Sequence, residues 1–171
     1  MRYLLMVLLA IVSVSGCMGK SVGDRYASRM TRDGTIFFIL PERLKATDGV
    51  DRFEYDMTCL TWNDTVTVNF SIRSKNMEVP EHVALQSGDK RFDAVGMAKL
   101  YTDIVKNGYE IRMSCRFLWD DIQRAFTAVQ PPVFLFDQSG VERSATYTPR
   151  QWKGERRILS EILELYNYSR K

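Results

Sequence analysis

Residues 53–72 read FEYDMTCLTWNDTVTVNFSI. Phe53, Tyr55, Met57 and Cys59 alternate with Glu54, Asp56 and Thr58. Beyond Asn63-Asp64, Val66, Val68, Phe70 and Ile72 alternate with polar neighbours in the same way. A period of two belongs to a strand with one buried face. Asn63-Asp64 as a two-residue turn pairs Trp62 with Thr65 and Thr61 with Val66. It then sets Cys59 opposite Val68 and Met57 opposite Phe70, so both apolar sets share a face. The stretch predicts a hairpin at the centre of an antiparallel sheet.

The flanks extend that sheet. Thr35 to Leu40 is a continuous apolar run, read as a buried strand ended by Pro41, and Glu42 to Asp51 reads as a loop. Downstream, Val83 to Leu85 and Arg91 to Val95 flank Ser87-Gly88-Asp89, a second short hairpin. Residues 97–107 satisfy two templates. Met97, Leu100, Tyr101, Ile104 and Val105 have helical spacing, whereas Asn107-Gly108 followed by alternating Tyr109, Ile111, Met113, Cys115 and Phe117 signals a hairpin. The hairpin, pairing Ile104 with Ile111 and Asp103 with Arg112, is the preferred reading. Asp120 or Asp121 caps a short helix near 120–129, stopped by Pro131-Pro132. Val133 to Phe136 turns through Gln138-Ser139-Gly140 into Val141 to Tyr147. Last comes an amphipathic helix near 150–168, with Ile158, Leu159, Ile162, Leu165 and Tyr166 on one stripe. The expected class is α+β: an antiparallel curved sheet or sandwich, with the C-terminal helix on its open face. A barrel closed by a terminal helix is the alternative.

The first seventeen residues, MRYLLMVLLAIVSVSGC, have a different character. Arg2 precedes an apolar run from Leu4 to Val12, too short to span a bilayer and sized like a secretory core. Small residues Ser15 and Gly16 then lead to Cys17. This segment resembles the lipobox of bacterial lipoproteins. The resemblance implies a signal peptide over 1–16, a diacylglycerol on the Cys17 thiol, and a fatty-acid (palmitate-type) membrane anchor. Met18 stands where that class carries an aspartate for inner-membrane retention, which implies the outer membrane, with the domain in the periplasm or at the cell surface. Residues 17–34, polar and with Gly19, Gly23 and Gly34, are expected to be a flexible tether spanning roughly 20–25 Å. Residues 35–171 are expected to form one globular domain.

Composition narrows the function classes. The chain has 24 Lys+Arg and 21 Asp+Glu; removing residues 1–16 takes away Arg2 and leaves 24 − 1 − 21 = +2. So small an excess argues against nucleic-acid binding. With Cys17 lipidated, Cys59 and Cys115 remain. An even remainder in an oxidising compartment suggests a disulfide, with two buried thiols as the alternative.

Catalytic chemistry is sparsely provided. His82 is the one histidine, beside Glu78, Pro80 and Glu81, with no partner motif for a metal site and no framed serine nucleophile. Gly19-Lys20-Ser21 lacks the upstream glycine of a phosphate loop, Val14 standing there. No catalytic residue, metal or cofactor is assigned. Arg150, Lys153, Arg156 and Arg157 surround Trp152 and read as a solvated helix face. Trp62, Tyr101, Trp119 and Trp152 are either core or the lining of a groove. Asp64-Thr65-Val66 resembles a short bacterial acceptor pattern for O-glycosylation, which makes Thr65 a candidate site. The expected function is a non-enzymatic envelope lipoprotein that binds a protein partner or assists assembly. The alternative is a sugar- or peptide-binding module with an aromatic groove.

Overall fold

The computed structural model describes residues 24–47 and 49–170. The lipobox, including Cys17, lies outside them. Among the described residues, ten strands and two helices follow in the order β1 (Tyr26–Met30), β2 (Thr35–Ala46), β3 (Arg52–Leu60), β4 (Thr65–Ser74), β5 (Val83–Ser87), β6 (Lys90–Asp93), β7 (Met97–Val105), β8 (Gly108–Leu118), α1 (Trp119–Thr127), β9 (Val133–Gln138), β10 (Val141–Thr146) and α2 (Pro149–Ser169). All pairings are antiparallel, in the order β6-β5-β9-β10-β2-β3-β4-β8-β7, and β1 also pairs with β2. The described residues are mainly β, with two helices among them where the sequence placed them.

The sheet curls into a half-barrel. Phe53 on β3 lies 5.3 Å from Phe134 and 5.4 Å from Phe136 on β9, ring centre to ring centre. Three strand spacings separate β3 from β9, about 14 Å in a flat sheet, so these contacts require strong curvature. The device for bending is β2. Ile39 faces Met57 and Glu42 faces Tyr55, leaving Leu40 and Pro41 opposite a single residue. Proline cannot donate to a ladder and is at home in such a bulge. Pro41 therefore bends β2 instead of ending it as expected. The first half of β2 pairs with β1, and its end, at Lys45 and Ala46, pairs with β10.

Inside the curl, Phe37, Ile39, Tyr55, Met57, Val66, Phe70, Ile111 and Phe117 form one buried face. Helix α2 lies against it through Trp152, Ile158, Leu159, Ile162, Leu163 and Tyr166. Leu163 takes the buried place expected of Leu165, which is exposed. Thr148 caps α2 through the Gln151 N–H in a reciprocal capping box.

The hairpins predicted over residues 53–72 and 97–117 both form, each slipped by two residues. Cys59 faces Val66 and Met57 faces Val68, because the turn takes the four residues Thr61 to Asp64. Likewise Ile104 faces Tyr109 and Asp103 faces Glu110, with Lys106-Asn107 as the turn. An even slip keeps every side chain on its predicted face, which is why the core is unaffected. Residues 97–105 are strand, as preferred.

Two further expectations change. Residues 24–34, assigned to the tether, include β1, and Arg25 is buried. Cys59 and Cys115 are free thiols. Strand β4 runs between their strands, so two strand spacings, about 10 Å, separate them, beyond the span of a disulfide.

Candidate functional site

A buried polar cluster is built around Arg25. Its Nε donates to Glu155 Oε2 on α2 at 3.0 Å, and its Nη2 lies 3.4 Å from Glu42 Oε2 on β2. Its Nη1 donates to the carbonyls of Leu40 at 3.0 Å and Pro41 at 3.3 Å. The bulge supplies those carbonyls, since it turns them away from the ladder. Burial works against the charged guanidinium, but Glu155, Tyr55 and Glu42 outweigh it and hold the Arg25 pKa above its ordinary value. Beside this cluster the hydroxyls of Tyr55 and Tyr147 hydrogen-bond to each other. Burial pushes both phenols up, so they stay neutral. The cluster ties β1, the β2 bulge and α2 together. Its members are consumed in holding one another, and none is presented to a substrate.

Polar clefts open to solvent beside two groups of charged residues. One, of 340 Å³, lies beside Glu81, His82, Arg91 and Asp93. Arg91 there pairs with Asp93 at 3.1 Å and with Glu142 at 3.0 Å. The other, of 270 Å³, lies between Gly49, Lys75, Glu78, Gln138 and Arg143, where Gln138 Nε2 donates to the Glu78 carbonyl at 2.8 Å. Among the described residues no group of three His, Cys, Asp or Glu is placed to hold a metal ion.

The other sequence candidates are dispersed. His82 is exposed, and its carbonyl accepts from the Asp137 N–H at 3.1 Å. Asp120 and Asp121 sit in the first turn of α1, with Leu118 as the cap residue, where their charges complement the helix dipole. Trp119 and Trp152 are core residues: Trp119 packs 3.8 Å from Tyr166, and Trp152 Nε1 donates to the Val129 carbonyl at 2.9 Å. Trp62 and Tyr101 are exposed, in the β3–β4 turn and on β7, so the four aromatics line no common groove. In the basic cluster, Arg156 Nε donates to the Thr127 carbonyl at the end of α1, and Arg157 pairs with Glu161. Thr65 is half-buried at the start of β4, opposite Leu118, and its neighbour Asp64 is paired with Arg170. Burial pushes the Cys59 and Cys115 thiols up to about 12. They remain protonated and unreactive.

What sequence reading missed is the free edge of β7. This nine-residue strand ends the sheet, and no described strand pairs with its outer side. Leu100, Tyr101 and Ile104 are exposed along it, Ile104 at 87%. The signal was present in the Asn107-Gly108 hairpin, but an edge exists only once strand order is known.

No protein-family model matches the chain, and no curated protein or solved structure does either.

Proposed function

We propose that this chain is an envelope lipoprotein, anchored through Cys17, whose domain works by binding a protein partner without chemistry of its own. The observation that carries this is the β7 edge. An unpaired row of N–H and C=O groups flanked by Leu100, Tyr101 and Ile104 is a template for one more strand. Backbone pairing would hold an extended segment of the partner, and the exposed apolar side chains would favour apolar residues on it. Glu155 and Glu42 are engaged by Arg25, Asp56 by Arg112, and the two thiols are buried in the core.

A photoreactive residue in place of Tyr101 tests it. In cells it should give one discrete adduct with another envelope protein, and Leu100→Lys with Ile104→Lys should abolish that adduct while leaving thermal unfolding unchanged. A substrate turnover that disappears in a folded His82→Ala variant would overturn the proposal.

A further inference from the structure

We infer that the convex surface of the β1–β2 ribbon is a lipid-contact face, seated on the anionic headgroups and upper acyl region of the leaflet that holds the anchor. This rests on the lipid-anchor reading above. Directly paired residues of an antiparallel ladder share a face. Phe37 and Ile39 are buried, so Ile36, Phe38 and Leu40 project the other way, with Ala27 opposite Phe38 and Arg29 opposite Ile36. Phe38 and Leu40 are 40% and 39% exposed, and Leu60 extends the apolar row beside Ile36.

Charge complementarity points to an anionic surface. Over residues 24–47 the exposed charges are Arg29, Arg32, Arg43 and Lys45 against Asp24 and Asp33, a balance of 4 − 2 = +2. None of the four cations is ion-paired with a described residue, whereas Arg52, Arg73 and Arg112 further along the same convex face are paired. Past the bulge, Arg43 and Lys45 alternate with buried Glu42 and Leu44, so they share the outward side with Leu40. Apolar side chains rimmed by unpaired cations are the composition of an interfacial membrane contact.

The place where the chain enters the fold selects the bilayer as occupant. The Leu40 N–H donates to the Arg25 carbonyl at 2.9 Å, so the chain arrives beside Leu40. Seven residue steps separate Cys17 from Asp24, at most about 25 Å of chain. An acyl chain on Cys17 therefore keeps this patch at the membrane surface. Strands β3, β4 and β8 separate it from the β7 edge, so both surfaces can be occupied together.

The test uses the full-length protein, purified lipidated and reconstituted in phosphatidylethanolamine–phosphatidylglycerol vesicles. An environment-sensitive dye is placed through Leu40→Cys or, as control, Ile104→Cys; the buried Cys59 and Cys115 thiols do not compete for label. Brominated acyl chains should quench the residue-40 dye by about half and leave the residue-104 dye unchanged. Arg43→Glu with Lys45→Glu should abolish the quenching at residue 40. Protein that floats with the vesicles but shows equal quenching at both sites, or none at residue 40, overturns the inference. A residue-40 dye shielded only after envelope-protein extract is added also overturns it and assigns the patch to a protein. Failure to float, with no fatty acid on Cys17, overturns the anchor reading and this inference together.

Discussion

Arg25 and Glu155, 130 positions apart in sequence, meet as a buried ion pair with side chains only 3% and 8% exposed. The pair joins the first described residues to the last helix, across a bulge that exists to bend β2. Removing one partner of such a pair leaves the other charge buried without it, which costs more than the pair itself stabilises. Arg25→Ala is therefore expected to lower stability by about 3–5 kcal/mol. The triple variant Arg25→Met, Glu42→Gln, Glu155→Leu, which removes all three buried charges, should recover much of that. Denaturant midpoints decide it, and a loss near zero for Arg25→Ala would show that water reaches the guanidinium.

The tyrosine pair makes a parallel case with neutral groups. Tyr147→Phe leaves the fully buried Tyr55 hydroxyl with its partner gone and should cost about 1–3 kcal/mol. Replacing both by Phe removes both polar atoms and should cost less than either single change. An additive double variant would argue against the pairing.

The thiols predict both a count and a pH dependence. The denatured, unreduced domain should titrate two free thiols, and the native one none. Burial raises both folded pKa values from about 9 to about 12. The native state then holds its thiol protons where the unfolded chain has lost them. Their contribution is complete below about pH 9 and fades as pH rises to about 12, by on the order of 1 kcal/mol per pH unit for each thiol. Cys59→Ala should flatten that alkaline slope in a plot of unfolding midpoint against pH. An unchanged slope would assign it to other groups.

Gly108 follows the turn residue Asn107, which holds a φ of 68°. A Cβ on Gly108 would come within 2.3 Å of the Ser74 carbonyl oxygen. Gly108→Ala should cost about 1–3 kcal/mol and loosen the β7–β8 turn, seen as faster hydrogen exchange at Tyr109. Exchange at the wild-type rate would mean the turn shifts freely.

Lipidation is checked separately. Cys17→Ala should abolish fatty-acid labelling of the chain, and equal labelling of variant and wild type would dismiss the lipobox reading.

Most local elements were legible from side-chain periodicity alone. The alternation from Phe53 to Ile72 announced two strands and their buried faces, Pro131-Pro132 bounded α1, and the spacing of Ile158, Leu159 and Ile162 announced α2. Periodicity reports which face of an element is apolar, a property of neighbouring residues. It does not report register, because a slip of two leaves the pattern untouched, and so Cys59 came to face Val66 in place of Val68. It also could not place β1, whose residues Ala27 to Met30 are exposed and earn their strand from pairing with β2. Buried Arg25, the strand standing between the two cysteines, and the open edge of β7 all depend on strand order. The sequence by itself determined most of the elements and their inward faces. Tertiary structure alone decided which edges meet, because sheet order and curvature come from contacts between residues far apart in the chain.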